Sequence, residues 1–316
     1  MTGEIFALAS AVFWSLHMVH AKKAQNKNLG SANPIDPTIG LFITILVNNV
    51  INCFVLIARY ALWPPIPLHP YSVLFNATAG VFNSLAGRGM LFSSVAILGA
   101  AKAGFTRSTM PVFVLLGGVL LLGERLSART LLGIGIVLLA LFLMSFDAIR
   151  KESSAQTARL GDEKKLSPLD LMKGIAFGLA SAMFIASGNV LRKAAIPAMP
   201  DVTLVVFIGA FSALSVCAII LIVKRKVPAT IAAIRHIEFN YMMSGVFASF
   251  AQYTMVYSLS IIPVAVTNSI GATEPLFTIL FVWLIKEGKK EKIGIQTVIF
   301  AVIMVIGTII LVTSGS

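Results

Sequence analysis

The sequence of 316 residues is 57% hydrophobic and 12% charged, with a mean hydropathy of +0.90. A soluble domain does not need so much apolar sequence to fill its core, so the composition indicates an all-α integral membrane protein. The net charge of +12 comes from basic residues spread over many loops, so it requires no nucleic-acid partner. Cys53 and Cys217 both fall in apolar stretches and imply neither a disulfide framework nor a metal site. No cofactor is expected.

Ten apolar stretches follow one another along the chain, each close to the 20 or so residues that a spanning helix needs. The predicted spans one to ten cover residues 3–21, 38–60, 72–97, 101–122, 128–146, 168–191, 202–223, 239–260, 263–285 and 293–313. The stretch 150–167 is polar and mixed in charge, which predicts a flexible linker. We therefore expect a first five-helix repeat over 1–149 and a second over 168–316.

The two halves resemble each other in sequence. GEIFALASAVF (3–13) and GIAFGLASAMF (174–184) share seven of eleven residues. Further along, GVFNSLAGRGMLFS (80–93) matches GVFASFAQYTMVYS (245–258), and TMPVFVLL (109–116) matches TEPLFTIL (273–280). An odd number of spans per copy makes the second copy enter the membrane from the opposite side. The duplication therefore predicts two inverted repeats, an arrangement that typically surrounds a midplane site open to each side in turn.

Charged residues inside the predicted spans are few, and they suggest where such a site lies. Arg88, Arg107 and Glu274 are expensive in a bilayer, at about 2.5 to 3.5 kcal/mol each near its centre, so they should face the protein interior or a wet cavity. Pro111 and Pro275 lie close to two of them and predict helix breaks. One arginine could pair with Glu274 as a structural bridge. The remaining positive charge could receive an anion, because guanidinium suits carboxylate or phosphate.

Other polar and aromatic side chains near these charges complete the candidate site. Asn83 and Gln252 lie about one turn from Arg88 or from Tyr253, its counterpart in the second copy. We expect Trp14 to line the cavity. His17 can titrate near neutral pH and is a candidate for proton coupling, although a histidine in a membrane helix commonly just makes a hydrogen bond. The predicted substrate-binding residues are Arg88, Arg107, Glu274, Asn83, Gln252, Tyr253 and Trp14; no catalytic or metal-binding residue is predicted.

Three stretches carry a resemblance to a known family. They are AVFWSLHMVHAKK in span one, LGAAKAGFTRSTMPVFVLLGGVLLLGERLSARTLLGIGIVLLAL in spans four and five, and IPVAVTNSIGATEPLFTILFVWLIKEG in span nine. The mid-helix Pro111, the Gly123-Glu124-Arg125 end and the Glu274-Pro275 pair are similar to those of ten-helix, EamA-type members of the drug/metabolite transporter superfamily. The resemblance implies that fold and the transport of small metabolites or drugs. Arg88 and Arg107 occupy positions that are usually uncharged in that pattern.

The orientation in the membrane has two conflicting indications. Loops after the odd-numbered spans hold 18 of the 25 basic residues, which by the positive-inside rule puts both termini outside the cytoplasm. The family resemblance implies cytoplasmic termini instead.

The sequence thus predicts a secondary transporter for a small organic metabolite, anionic or zwitterionic, working as a monomer or homodimer. The expected location is a prokaryotic inner membrane, with an organelle membrane as the alternative. A channel or scaffold is the first rival function. An enzyme is disfavoured because the spans lack a nucleophile and base set, and an ATP-driven pump because no GxxxxGK[ST] loop is present.

Overall fold

The computed structural model describes residues 2–29, 35–64, 66–98, 100–160, 167–284 and 295–314, which form helices and loops without a strand among them. The helices are α1 Thr2–Leu29, α2 Pro37–Leu62, α3 Pro70–Val81, α4 Gly87–Leu98, α5 Ala100–Arg107, α6 Met110–Leu122, α7 Ala128–Leu160, α8 Pro168–Ala195, α9 Val202–Val223, α10 Val227–Arg235, α11 Phe239–Ile261, α12 Val264–Gly271, α13 Glu274–Leu284 and α14 Ile295–Ser314. A π turn, Phe82–Ala86, joins α3 to α4, and a 3₁₀ turn, Ile196–Ala198, follows α8.

Taken in order and leaving out the short α10, these helices correspond to the ten predicted spans. Span three comprises α3 and α4, span four α5 and α6, and span nine α12 and α13. Among the described residues, eight helical stretches are long and apolar enough to cross a membrane, and Val298–Ser314 is a shorter apolar helix in span ten. Span eight is the 23-residue α11. Large apolar side chains such as Phe54, Leu121 and Val223 are exposed, as expected where a surface faces lipid. The chain is an all-α, multi-pass membrane protein.

Two local predictions differ from the structure. Helix α7 continues to Leu160, so the start of the predicted flexible linker is helical. Its sequence from 150 to 160 contains neither proline nor glycine and is rich in residues that favour helices. The short helix α10 lies within the stretch between spans seven and eight where the sequence predicts a loop. The remainder of the linker, 161–166, lies outside the described residues.

Contacts between the helices follow a two-fold pattern. Helix α1 packs along α11, and its counterpart α8 packs along α3 and α4. Likewise α1 contacts α12 and α13, while α8 contacts α5 and α6. Helix α2 pairs with α9, and α7 pairs with α14. Exchanging the first five spans for the last five leaves this set of contacts unchanged, which is the arrangement expected of the inverted repeats.

The crossing of α3 and α9 depends on two glycines. A Cβ atom built on Gly80 would lie 1.9 Å from the carbonyl oxygen of Gly209. Small residues let membrane helices approach until their backbones touch. Because these two helices belong to different repeats, the glycine contact sets how closely the repeats can pack here.

Two ion pairs join the ends of α2 and α9. Asp36 and Asp201 each precede one of these helices and accept a hydrogen bond from the backbone two residues further on. Asp36 binds the ammonium group of Lys226, and Asp201 lies 3.6 Å from Nε of Arg59. The pairs therefore lie at opposite ends of the same helix pair. We call the side holding the start of α1 and Asp201 the terminal face, and the side holding Asp36 and the end of α7 the linker face.

Replacing Gly80 by alanine should destabilise the protein by about 1 to 3 kcal/mol, because the added methyl group cannot avoid the Gly209 backbone. Thermal unfolding of the purified protein in detergent measures this. Gly135→Ala is the matched control, since a Cβ at Gly135 meets nothing within 4 Å. An equal melting temperature for Gly80→Ala and the parent would contradict the close crossing.

The Asp36 bridge should make a pH-dependent contribution to stability. Partial burial opposes ionisation of this carboxyl, but hydrogen bonds from Lys226 and Thr38 outweigh that effect and lower its pKa below the ordinary value of 3.8. The contribution is complete above that ordinary value and is lost as the pH falls through the lowered pKa. Both side chains are about a third exposed (32% each), so the contribution is about 1 kcal/mol or less.

Asp36→Asn keeps a side chain able to cap α2 while removing the charge. We expect this variant to melt slightly below the parent at pH 7, with the difference shrinking as the pH approaches 3. Melting curves across that range test this, and a difference that stays constant with pH would contradict it.

Candidate functional site

Spans four and nine are both broken at the same position of the repeat. Ser108–Thr109 separates α5 from α6, and Ala272–Thr273 separates α12 from α13. The predicted helix-breaking residues Pro111 and Pro275 follow directly, each as the second residue of the new helix. Proline cannot donate a hydrogen bond to the carbonyl four residues earlier. Broken helices at membrane depth occur where protein or a water-filled cavity can satisfy the freed groups.

Two of the predicted site residues lie at these breaks. Arg107 is the last residue of α5, and Glu274 is the first residue of α13. A helix carries partial negative charge at its carboxyl end and partial positive charge at its amino end. Each side-chain charge therefore lies at the helix end that stabilises it, which makes both charges less costly at this depth.

Arg88 is placed by the π turn that precedes it. The backbone N–H of Gly87 bonds to the carbonyl of Phe82 across that turn. A π turn accommodates one extra residue, so later side chains point about 100° away from where an unbroken α-helix would place them. The counterpart Tyr253 lies on α11, which has no such turn. Arg88 and Tyr253 consequently face different surroundings, although the repeat aligns them.

The charged residues converge without pairing. Arg88, Arg107, Glu274 and His17 interact electrostatically, and they come from spans three, four, nine and one. The side chains of both arginines and of Glu274 retain some accessible surface. Within the described part of the chain, neither guanidinium has a carboxylate oxygen within 4.0 Å. The short structural bridge considered from the sequence is therefore absent there, and two positive groups stand near one negative group.

Trp14 and His17 lie beside Arg88. The Arg88 guanidinium lies 5.6 Å from the centre of the Trp14 ring, and the His17 ring meets Trp14 edge-on at 5.2 Å. His17 is buried, and its Nδ1 lies 2.9 Å from the carbonyl oxygen of Ser244 on α11. The Ser244 hydroxyl lies 2.9 Å from the same nitrogen, so Nδ1 can donate to the carbonyl or accept from the hydroxyl, according to the tautomer. His17 thus joins span one to span eight, and its role in proton coupling stays a prediction.

Asn83 belongs to a ladder of asparagines that crosses three spans. Its amide donates to Asn189 at 3.0 Å, and Asn189 donates to Asn268 at 2.6 Å. Asn268 in turn donates to the carbonyl of Val264, within the half-helix α12. The ladder uses the donor side of Asn83, while its Oδ1 is buried without a hydrogen-bond partner in the described part of the chain. The ladder connects the π turn directly to the broken span nine.

The last two predicted site residues, Gln252 and Tyr253, lie side by side on α11, and their role in binding stays a prediction. Gln252 is buried, and its Oε1 has no hydrogen-bond partner among the described residues. Tyr253 lines a cavity together with Arg59 and Asp201, near the terminal face. The alignment of Tyr253 with Arg88 suggested one site, but the π turn in span three makes the two copies differ at this depth.

The Gly-Glu-Arg end of span four has a structural role that sequence reasoning missed. Gly123 has a φ of +65°, which ends α6, and Glu124 then accepts a 2.7 Å hydrogen bond from the backbone of Val264, the first residue of α12. Lys193 donates to the carbonyls of Leu259 and Ile262 at the end of α11. Lys193 thus binds the end of α11, and Glu124 binds the start of α12, on the two sides of the turn between these helices. The Gly-Glu-Arg motif is visible in the sequence, but the sequence does not show that Glu124 binds Val264 in the other repeat.

The described residues contain no group of three or more histidine, cysteine, aspartate or glutamate side chains that could hold a metal ion. The convergent groups are two guanidiniums, one carboxylate, an indole and an imidazole. Such a set can bind an anion or a zwitterion through charge-assisted hydrogen bonds.

Comparison with known proteins agrees with this architecture. Residues 1–146 and 172–313 match the sequence profile described as the EamA-like transporter family. No curated protein matches the sequence. One solved structure, described as "Crystal structure of protein", has a TM-score of 0.70 at 15% identity, covering 98% of this chain and 95% of that one. At that identity the likeness concerns the fold alone. The family profile covers both five-span halves, and the chain belongs to the EamA-like transporter family.

Proposed function

We propose that the chain is a secondary transporter that binds a small anionic or zwitterionic metabolite between its two repeats. The observation that carries this proposal is the convergence of Arg88, Arg107 and Glu274 at mid-span breaks, without a short ion pair between them. An intramembrane charge needs a partner. Two positive groups facing one negative group leave room for the anionic part of a ligand.

The geometry favours a substrate with a carboxylate or phosphate group. A guanidinium offers paired N–H donors that match the oxygens of these groups. Arg88 and Arg107 would hold the anionic group from two sides, and the Trp14 indole beside Arg88 would cover its apolar part. Glu274 would accept a cationic group where the substrate has one.

The origin of these residues suggests how binding is linked to movement. Both arginines belong to the first repeat, and Glu274 belongs to the second. A zwitterion bound to both would therefore draw the two repeats together. Alternating access then follows if the repeats rock around this site, for which inverted repeats with discontinuous helices are suited. The asparagine ladder joins the π turn beside Arg88 to span nine, so a movement of either element reaches the other.

Removing either arginine should weaken the binding of an anionic or zwitterionic substrate. Ligand-induced thermal stabilisation across anionic, zwitterionic and cationic metabolites identifies a binder, since a ligand specific for the folded state raises the melting temperature. Arg88→Gln and Arg107→Gln should then raise its Kd by about 10- to 100-fold, the loss expected for a hydrogen bond to a charged group. Saturable uptake into proteoliposomes should fall in parallel.

Arg125→Gln is the matched control, because Arg125 is exposed in the loop after α6. Uptake that never saturates in the parent would favour a channel. Stabilisation by cations alone, abolished by Glu274→Gln and unaffected in both arginine variants, would contradict the proposed anion site and leave Glu274 as the binding residue.

A further inference from the structure

A cavity with both charged and aromatic lining residues lies near the terminal face. Its volume is about 390 Å³, and its lining includes Phe6, Arg59, Asp201, Tyr253 and Tyr257. These residues come from spans one, two and eight and from the loop before span seven. None of them belongs to the cluster of Arg88, Arg107 and Glu274.

Asp201 lines this cavity, and one of its two carboxylate oxygens makes no hydrogen bond with the described residues. Its side chain is only 2% exposed. Oδ1 accepts hydrogen bonds from the backbone of Thr203 and Leu204, at 2.9 and 3.1 Å. Oδ2 has no hydrogen-bond partner among the described residues. Nε of Arg59 lies 3.6 Å from it, a distance at which the guanidinium attracts the carboxylate but is too far for a good hydrogen bond.

The equivalent aspartate in the first repeat shows what a closed pair looks like. Asp36 has the same position before α2, and its Oδ1 accepts from the backbone of Thr38. Its Oδ2 accepts a hydrogen bond from the ammonium group of Lys226. At the linker face, an ammonium group therefore donates to Oδ2 of Asp36. At the terminal face, no ammonium group of the described residues lies in the equivalent place beside Oδ2 of Asp201.

Tyr253 supplies a second unsatisfied group in the same cavity. Its hydroxyl oxygen is buried and, within the described ranges, has no hydrogen-bond partner, and the side chain interacts electrostatically with Asp201. Leaving a buried polar atom unpaired is costly. A single donor group with several hydrogens would satisfy both the Tyr253 oxygen and the Asp201 carboxylate.

The remaining lining residues suit the rest of such a ligand. Arg59 has one long hydrogen bond, 3.5 Å to the carbonyl of Pro64, which leaves most of its five N–H donors available. The ring centres of Phe6 and Tyr257 lie 4.3 Å apart, and the two rings form an apolar wall. Aromatic faces also attract cations.

We propose that this cavity is a second binding site, which takes a small zwitterion with a primary ammonium group and a carboxylate. The ammonium group donates to Asp201 Oδ2 and the Tyr253 hydroxyl, the carboxylate accepts from Arg59, and an apolar side chain lies against Phe6 and Tyr257. The site is independent of the proposed function of the central cluster, and its occupancy can be measured without transport.

Three probes that share one carbon skeleton test the assignment. Leucine carries both charged groups, 3-methylbutylamine carries the amine alone, and 4-methylpentanoate carries the carboxylate alone. Calorimetry on the purified full chain should show leucine binding most tightly, the amine more weakly, and the acid weakest or not at all. Tyr253→Phe and Asp201→Asn should each weaken leucine binding by about tenfold. Asparagine preserves the cap of α9.

Two control variants separate this site from the rest of the molecule. Tyr71→Phe makes the same chemical change on α3, outside this cavity, and should leave leucine affinity unchanged. Arg125→Gln, in the exposed loop after α6, should also leave it unchanged. The proposal is overturned if no amine-bearing probe binds the parent, or if 4-methylpentanoate binds as tightly as leucine. Leucine binding that is lost in Arg88→Gln and retained in Tyr253→Phe also overturns it, and that result would leave the central site standing.

Discussion

Lipid offers no hydrogen-bond partner to a freed backbone group, and this constraint organises the structure around its two broken spans. A helix can be interrupted at mid-membrane only where the protein itself surrounds the break. Spans four and nine are interrupted at equivalent positions, and each is packed against the first span of the other repeat, α8 or α1. The breaks also provide helix ends of opposite polarity, where Arg107 and Glu274 can be charged at reduced cost.

The rest of the architecture keeps these breaks enclosed. The α3–α9 crossing brings the repeats into backbone contact through Gly80 and Gly209. Glu124 and Lys193 hold the corner that leads into α12, and the asparagine ladder reaches the same half-helix from span three. Each of these contacts joins the two repeats or supports a broken span, so packing and the candidate site depend on the same residues.

The spans, the duplication and the positions of the breaks could be predicted because each has a local cause in the sequence. Apolar length determines a span, and Pro111 and Pro275 mark the breaks. The π turn could not be predicted, because GVFNSLAGRG aligns without a gap with the α-helical GVFASFAQYT. The alignment of Arg88 with Tyr253 therefore gave no sign that the two side chains lie in different surroundings. The partners of Glu124 and Asp201 also could not be predicted, because Val264 and Arg59 each lie in the other repeat, far away in the sequence. The D-x-T sequence occurs at 36–38 and at 201–203, and in each copy the aspartate caps the helix that follows.

The two copies share the residues that determine helix packing and differ in the residues that carry charge. The repeated motifs supply glycines, small residues and prolines, which determine how the helices pack and where they break. The chemically distinctive side chains occupy positions that the copies do not share: Arg88 aligns with Tyr253, Glu274 with Met110, and Arg107 with Gly271. The terminal-face cavity shows the same contrast. Asp36 and Asp201 each cap a helix, but Oδ2 of Asp36 accepts a hydrogen bond from Lys226, whereas Oδ2 of Asp201 accepts none from the described residues. A symmetric pair of repeats can present the same packing to both sides of a membrane, whereas binding one polar molecule in one orientation requires unlike groups on its two sides. Divergence at these few positions provides that asymmetry without disturbing the shared fold.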